Sequence, residues 1–522
     1  MKAFFDNKKI NNLVTFTDTA VCKISYWLSV VFFTILSIAS LCSTCYFDEK
    51  YREIVLYKID NIFLNVILFV VAIFLIGLIL RNNKLFLNDK LHRKYLPIFI
   101  FVYTLLMGIL WMYLTRANQG PGEGNSIIQY SSQLFNGNFI NLGEARYYGF
   151  FPFQLGYTLF CEIMYFFFGD MNVTIIQLSN VFFTAGTNLF LLKIAKEIFD
   201  DKRIEFVFAI LLMCFLPNIF FVTFTYGIMG GFFFSSISIL MAIKFTQREK
   251  IRYMITSILS IMFGVIMKSN MQIIAIAVLV MLFIYMIKNK SKLAILFIVI
   301  YMASIVVAPK AVCEIYHMRA GEEYQIKTSM PKIVWLAMGL QDSKLAPGWF
   351  NGYTYLAYRD AGNNWDMVKK NAVESIKSSV KKFYREPKYA VEFFAQKTLS
   401  QWNEPNYGAF VMSYAARTGK NPKAEQMIYQ KGKVNTLLNE EQDLVHLLTY
   451  VGAVVFLITN RRDLSVKKLL PSIIILGGLI FHTFWEGKSQ YILQYAMFAL
   501  MCSAPGIVVI GEKMNKIADR FF

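Results

Sequence analysis

The stretch IFLNVILFVVAIFLIGLIL, residues 62–80, decides the fold class, because it is apolar apart from Asn65 and contains no charged side chain. An α-helix rises 1.5 Å per residue, so about 20 such residues cross the roughly 30 Å hydrocarbon core of a bilayer. A helix can cross because all its central backbone hydrogen bonds are made within the segment. The stretch therefore predicts a membrane-spanning helix.

Comparable apolar runs recur along the chain, and the overall composition agrees with them. Hydrophobic residues make up 56% of the 522 residues, charged residues 17%, and the mean hydropathy is +0.46. A water-soluble globule of this length is excluded by such a composition. We expect an all-α, polytopic transmembrane bundle of about 12–13 helices. The candidate runs are residues 24–46, 62–80, 97–115, 150–168, 174–195, 204–225, 228–245, 253–269, 271–287, 293–309, 442–459, 468–484 and 490–511.

The formal charge of +19 raises the question of nucleic-acid binding, but its placement indicates membrane orientation instead. Lys and Arg cluster in short loops between apolar runs, as in loops that face the cytoplasm. We predict no nucleic-acid partner; the predicted partner is the lipid bilayer, and both termini are expected inside. The basic, inward loops are residues 81–94, 193–203, 248–252, 288–292 and 461–468. The outward segments are residues 116–149, 226–230, 268–270, 310–440 and 485–491.

One run, residues 150–168, conflicts with this orientation. If the loop 116–149 lies outside and the loop 193–203 inside, an odd number of crossings must separate them, yet two runs do. The run begins Phe-Phe-Pro-Phe and is interrupted by Gly156. We therefore expect a re-entrant or surface-lying helix, covered by protein or lining a wet cavity.

The long outward stretch divides the chain into three parts. Residues 1–309 form an N-terminal transmembrane module with a first external loop at 116–149, and residues 441–522 form the C-terminal transmembrane helices. A structureless connection as long as residues 310–440 is uncommon in a compact protein, so we expect a small external helical subdomain there.

Cysteine and histidine patterns predict neither a disulfide framework nor a metal site. The seven Cys lie mostly inside apolar runs, and the CxxC pair Cys42 and Cys45 has no second pair. The four His are dispersed, with no HxH or HExxH spacing.

Polar groups concentrate in the outward segments. Glycines and a proline surround Glu123, which would allow close backbone approach to a ligand; a flexible solvated loop is the alternative. The turn from Trp485 to Tyr491 places Glu486 and Lys488 between two apolar helices, where such groups either line a site or snorkel to the membrane surface.

Taken in order, several segments resemble the GT-C glycosyltransferases, membrane enzymes that use polyprenyl-phosphate-linked sugars and include protein O-mannosyltransferases and lipid A aminoarabinose transferases. The likeness is greatest to a branch found in Gram-positive bacteria and covers roughly residues 97–511. The matching segments are Phe151–Gly156, Tyr226-Gly227, Lys268–Asn270, Pro331–Leu340, Gly348-Trp349, Lys397 with Trp402, and Trp485–Tyr491.

The resemblance implies a GT-C-like architecture and an inverting sugar transfer at the outer face of a bacterial plasma membrane. The donor would be a polyprenyl-phosphate-linked sugar, the acceptor a cell-envelope glycan or glycolipid, and no further cofactor is implied. The branch generally carries Asp as the catalytic base in the first external loop, but no Asp lies between Arg116 and Gly169. Glu123 stands near that position and is the expected base, with Glu144 as the alternative and a degenerate site as a further one.

The other roles implied by the resemblance fall into two groups. The residues expected to bind the donor phosphate are Lys488, Arg146, Lys268 and Lys332. The residues expected to bind substrate are Gln154, Tyr226, Trp349, Trp402, Trp485, Glu486, Gln490 and Tyr491. The three tryptophans would stack on a sugar face, or alternatively anchor the protein at the membrane interface.

Two other functions fit a polytopic chain. A transporter or flippase of lipid-linked saccharides would place charged or broken helices at mid-bilayer in symmetrical positions, whereas the polar groups here gather on one side. A polysaccharide polymerase would carry Arg-rich external loops, whereas the long loop here is rich in Lys and aromatic residues.

Overall fold

A computed structural model describes residues 8–48, 50–118, 122–324, 326, 329–429 and 432–521. The chain is 79% helical, which confirms the all-α prediction. The N-terminal residues 1–7, predicted to be cytoplasmic, and residues 119–121 of the glycine-rich bend lie outside the described part.

The elements follow one another along the chain with short connections. The first part contains α1 (Lys8–Cys42), β1 (Ser43–Phe47), β2 (Val55–Ile59), α2 (Ile62–Leu80), α3 (Asn83–Leu87), α4 (Leu96–Thr115), α5 (Glu123–Phe135), α6 (Tyr147–Phe150), α7 (Leu155–Phe168), α8 (Val173–Phe199), α9 (Lys202–Cys214) and α10 (Pro217–Phe220). The second part contains α11 (Ile228–Arg248), α12 (Ile251–Met267), α13 (Met271–Asn289), α14 (Lys292–Ala320), α15 (Ile333–Gly339), α16 (Tyr353–Asp360), α17 (Trp365–Arg385), α18 (Pro387–Trp402), α19 (Ala409–Ala415), α20 (Pro422–Ile428), α21 (Lys433–Thr459), α22 (Val466–Phe484) and α23 (Leu493–Phe521).

Ten helices of the described chain are long and apolar enough to cross a membrane. Their burial within the protein differs widely: 17% of the apolar window of α2 is buried, against 89% for α23. The helix α23 therefore lies at the centre of the bundle, and α2 lies at its lipid-facing edge. The ten spans are α1, α2, α4, α8, α11, α13, α14, α21, α22 and α23.

Ten clearly long and apolar helices are fewer than the 12–13 expected spans, and three shorter or broken runs of the described chain account for the difference. The run 204–225 is a bent pair of helices, with 47° between Lys202–Cys214 and Pro217–Thr223, and counts as one further span at most. The run 253–269 folds as the shorter apolar helix α12. The run 150–168 breaks at Pro152, and the 14 residues of α7 reach only about 21 Å, less than the hydrocarbon core.

A two-stranded antiparallel hairpin, β1–β2, interrupts the helical pattern directly after α1. Its register pairs Ser43 with Ile59 and Phe47 with Val55. The run 24–46 had been expected to remain helical to its end. The segment Ser43–Phe47 instead forms a strand whose backbone hydrogen bonds pair it with β2. The Cys45 N–H also donates to the Asn403 carbonyl at 3.0 Å.

The stretch 310–440 contributes to four hydrophobic clusters and is not packed as one unit. The helix α14 continues beyond residue 309 to Ala320, and α15–α17 share a small cluster of their own with Phe150 and Phe151. Residues 402–412 belong to the main core instead, where Trp402, Tyr407 and Phe410 are buried. The predicted external subdomain therefore describes α15–α17 better than the whole stretch.

The basic loops meet one another at one end of the bundle. Lys202 pairs with Asp89 at 2.5 Å, and Arg203 pairs with Glu512 at 2.5 Å. Further contacts join Lys288 to Asp18, Arg81 to Asp519, and Ser291 to Glu249. Four of the five loops that were predicted to face the cytoplasm take part in these contacts: 81–94, 193–203, 248–252 and 288–292.

At the other end, two buried amides hold an unwound backbone segment. The Nδ2 of Asn180 donates to the carbonyls of Val222 and Phe224, both at 3.1 Å. The Nε2 of Gln177, one turn away on the same helix, donates to the Thr223 carbonyl at 3.2 Å. Buried carbonyls without a donor cost free energy, so these side chains stabilise the bend after α10.

Replacing Asn180 with Leu should lower stability by about 1–3 kcal/mol, because two buried carbonyls lose their donor while the branching of the side chain is kept. The measurement is the melting temperature of the purified protein in detergent. Asn289→Leu, at an exposed helix end, is the matched control and should melt like the wild type. Equal melting of both variants would contradict the role of Asn180.

Candidate functional site

Glu123 is the first residue of α5, where a carboxylate interacts favourably with the helix dipole. Its Oε2 accepts a hydrogen bond from the hydroxyl of Tyr226, which comes from the bend after α10. Gly124 allows this contact, because a Cβ there would lie 3.3 Å from the Thr225 carbonyl oxygen. The end of α5 is thus packed against the backbone beside Tyr226, and the exposed Glu123 is held by a side-chain partner.

Lys268 lies on the other side of the Tyr226 ring. Its Nζ is 3.4 Å from the ring centroid, a cation–π geometry, and the residue is only 5% exposed. Burial lowers the pKa of Lys268 to about 7, against the opposing effect of Glu123 and Glu486. Gly227 brings the two turns together: its φ is +78°, and a Cβ would lie 2.3 Å from the Met267 carbonyl oxygen.

The turn between α22 and α23 supplies two more charged groups. Burial raises the pKa of Glu486 to about 8, and the nearby Glu123 adds to the effect. Lys488 Nζ pairs with Glu53 Oε1 at 2.9 Å. Burial alone would lower the pKa of Lys488, but Glu53 outweighs it, with help from Glu123 and Glu486, and holds that pKa above its usual value.

These five side chains, Glu53, Glu123, Lys268, Glu486 and Lys488, are called the charge cluster below. They come from four separate segments of the chain: the hairpin loop, α5, the α12–α13 turn, and the α22–α23 turn, which supplies two of them. Ionisable groups gathered in a partly buried place cost folding free energy, so such clusters are candidates for functional sites.

A buried lysine outside the charge cluster fixes the α22–α23 turn. Lys397, which is 1% exposed, donates through Nζ to the carbonyls of Gly339 and, at 2.8 Å, Trp485. Gly348 makes room for it, since a Cβ there would lie 2.6 Å from Nζ. Gly487 N–H in turn donates to the Gly348 carbonyl at 2.8 Å, so the turn is held from both sides.

Two of the predicted sugar-stacking tryptophans are structural. Trp349 is 0% exposed, and its Nε1 donates to Ser400 Oγ at 3.0 Å; Trp402 is 1% exposed and packs against two aromatic rings. Both rings are covered by protein in this structure, so neither has a free face for a sugar or for lipid headgroups. Trp485 is half-buried and lies parallel to Trp335, with 6.2 Å between ring centroids.

Arg146 and Lys332, predicted to bind phosphate, are exposed at the starts of two short helices. Among the described residues, neither side chain makes an ion pair with the charge cluster, so the structure does not support that role. The alternative base Glu144 exerts its electrostatic effect on Tyr358 of α16 instead. Among the predicted phosphate-binding lysines, Lys268 and Lys488 are the two on which the charge of Glu123 acts.

The remaining predicted substrate residues lie near the charge cluster but are mostly covered. Gln154 is 2% exposed and Gln490 3% exposed, and the Gln490 Oε1 is buried without a hydrogen-bond partner. Tyr491 is half-buried and stacks on His482, with 5.7 Å between ring centroids. Its hydroxyl feels the charges of Glu486 and Glu123, and burial together with these charges raises its pKa well above the usual value.

Glu53 is the member of the charge cluster that sequence reasoning missed. It follows a polar segment after the first apolar run, and nothing in that pattern separates it from the neighbouring charges. Its φ of +59°, uncommon for a residue other than glycine, aims it out of the hairpin loop towards Lys488.

Neither the comparison with known protein families nor the comparison with curated proteins finds a match for this chain. Within the described ranges, no group of three or more His, Cys, Asp or Glu side chains is arranged to hold a metal ion.

Replacing Lys397 with Met should destabilise the protein by about 1–3 kcal/mol, since the buried carbonyls of Gly339 and Trp485 lose their donor. Thermal unfolding in detergent measures the effect. Lys388→Met on the same helix is the control, because that lysine is exposed at the surface. If both variants unfold at the same temperature, Lys397 does not fix the turn.

Proposed function

We propose that this chain is a membrane glycosyltransferase that moves a sugar from a polyprenyl-phosphate-linked donor to a cell-envelope glycan or glycolipid. The observation that carries the proposal is that Glu123 lies near enough to Lys268 and Lys488, at one end of a membrane bundle, for its charge to act on both lysines. The resemblance to GT-C enzymes supports it independently, because the segments that carry the resemblance contribute Tyr226, Lys268 and Lys488 to the same place.

In the proposed reaction Glu123 is the general base. An acceptor hydroxyl loses its proton to the carboxylate as its oxygen forms a bond to the anomeric carbon of the donor sugar. The bond from that carbon to the phosphate oxygen breaks, and the electron pair leaves with the phosphate. Attack opposite the leaving group inverts the anomeric centre. The Tyr226 hydroxyl occupies one carboxylate oxygen and orients the other.

Lys268 and Lys488 would stabilise the charge that grows on the leaving phosphate. Positive groups placed in advance near a developing anion are among the largest sources of catalysis. Both lysines are held in the resting protein, Lys268 over the Tyr226 ring and Lys488 by Glu53. Before the donor arrives, Glu53 keeps Lys488 charged. The donor phosphate would then replace Glu53 as the partner of Lys488.

We further propose that the charge cluster faces the outside of a bacterial plasma membrane. The support is the opposite placement of the basic loops, because Lys and Arg are enriched on the cytoplasmic side of membrane proteins. A transporter or flippase would need charged groups along a path across the bilayer, whereas these groups gather at one end.

Glu123→Gln should reduce sugar transfer about 100-fold or more, because the amide cannot accept the acceptor proton while its shape is kept. The assay is transfer of a radiolabelled sugar in membranes that contain equal amounts of correctly inserted protein. Glu144→Gln, in the same loop, is the matched control and should keep wild-type activity. Activity retained in Glu123→Gln and lost in Glu144→Gln would move the base to Glu144.

Donor binding should weaken as the pH rises from about 6 to about 9, because each of two groups loses a proton over that range. The pKa of Lys268 is lowered to about 7 and that of Glu486 raised to about 8, so the site becomes more negative and binds an anion less well. The probe is a short prenyl phosphodiester, whose own charge is constant there. Titration by fluorescence gives Kd at each pH.

The double variant Lys268→Met with Glu486→Gln removes both titrating groups and should flatten this pH profile. Weaker but pH-independent binding is the expected result. A profile that keeps its slope in the double variant would show that other groups control donor binding.

A further inference from the structure

A pocket of about 200 Å³ lies beside the β1–β2 hairpin, outside the charge cluster. It is several times larger than the space of one water molecule, roughly 30 Å³ in the liquid, and suits a single ring-sized ligand. Aromatic rings, amides and two carboxylates line it. The lining residues are Tyr46, Phe47, Asp48, Tyr51, Glu404, Asn406, Gly408, Phe410, Asn435 and Asn439.

A chain of amides forms one wall of the pocket. Asn406 donates through Nδ2 to Asn439 Oδ1, and Asn439 donates through Nδ2 to Asn435 Oδ1 at 2.9 Å. Asn406 is 2% exposed, yet its Oδ1 has no hydrogen-bond partner. An unsatisfied acceptor in a buried amide costs free energy unless a ligand or water completes it.

A buried carboxyl group adds hydrogen-bonding capacity at the base of the pocket. Glu404 is 3% exposed and accepts from the backbone N–H groups of Asn406 and Gly408. Burial raises its pKa to about 8, so near neutral pH the group is largely protonated and can donate to a ligand oxygen. The other carboxylate, Asp48, is already bound by Arg52 at 2.6 Å.

This lining favours a neutral polyhydroxyl ligand over a charged one. None of the lining residues is Lys, Arg or His, and Arg52 beside them is already paired with Asp48, so an anion such as phosphate would meet carboxyl groups in the lining. Amides that both donate and accept, next to flat aromatic rings, fit the hydroxyl groups and apolar faces of a sugar.

The pocket and the charge cluster share the loop between β1 and β2. Asp48 and Tyr51 line the pocket, and Glu53 of the same loop pairs with Lys488. On the opposite side, Gly408 lines the pocket and packs towards the α22–α23 turn, since a Cβ there would lie 3.3 Å from Ser489 Oγ. One loop thus lines the pocket and also contributes Glu53, the partner of Lys488, to the charge cluster.

We propose that this pocket binds a neutral sugar ring of the acceptor and so positions the acceptor hydroxyl for the charge cluster. The inference rests on the proposed function and adds a substrate site to it. The sugar would bind between the aromatic rings, with its hydroxyls paired to Asn406, Asn439 and Glu404. The chemical step stays at Glu123; the pocket contributes binding and orientation only.

The first test is saturation-transfer NMR on the full chain in lipid nanodiscs, with glucose, galactose, N-acetylglucosamine, N-acetylgalactosamine and rhamnose as separate probes. At least one sugar should receive saturation from wild-type protein. Asn439→Leu and Tyr46→Ala should each weaken that binding about tenfold, the effect of losing one good contact. Asn289→Leu, at the basic end, should bind like the wild type. No saturation of any sugar, or equal binding by all variants, would overturn the pocket assignment.

The second test is the transfer assay, which separates this inference from the proposed function. In Asn439→Leu and Tyr46→Ala the KM for acceptor should rise about tenfold while the Kd for the prenyl phosphodiester is unchanged. Glu123→Gln should keep sugar binding and lose transfer. If the wild type binds sugar but transfers none, the proposed function fails and the pocket stands. If it transfers sugar and the pocket variants keep the wild-type acceptor KM, the pocket fails and the function stands.

Discussion

The site depends on a segment of backbone that leaves helical geometry inside the protein. After α10 the chain cannot satisfy its own carbonyls, and in a membrane-buried environment no bulk water replaces the missing donors. Gln177 and Asn180 supply them from α8. Because the bend is held in this way, Tyr226 meets Glu123 on one side and Lys268 on the other. Gln177 and Asn180, two polar side chains of the apolar helix α8, therefore determine where the charged groups of the site lie.

The charge cluster combines acidic and basic side chains, and burial alters their protonation. Three carboxylates and two lysines lie close together, and burial shifts the protonation of Lys268 and Glu486 in opposite directions from their usual values. Lys397, which also lies buried beside this turn, uses its hydrogen bonds on backbone carbonyls instead. Lys397 therefore shapes the turn, whereas Lys268 and Lys488 are the lysines that we propose for an anion.

Features that depend on long patterns could be predicted from the sequence, and features that depend on packing could not. Apolar runs predicted the helical membrane fold, and the pattern of Lys and Arg predicted that basic loops would gather at one end. Position in the turns predicted for the opposite end was enough to select Glu123, Lys268 and Lys488, because turns at one end of a bundle lie close together. The burial of Trp349 and Trp402 was not predicted, since composition does not reveal whether an indole is covered. Glu53 was missed because its direction depends on a backbone angle that no local pattern indicates.

The unequal burial of the helices has a consequence for how the protein is made. The most deeply buried span, α23, is also far along the chain, whereas the earlier span α2 is largely lipid-facing. During synthesis the earlier helices enter the bilayer while the centre of the bundle still lacks α23. Arg81 and Arg203 likewise form their ion pairs with Asp519 and Glu512 only after that helix has been made. The centre of the bundle is thus filled only once α23 has been made. A ribosome that stalls before residue 493 would leave the earlier helices in the membrane without the span that they pack around.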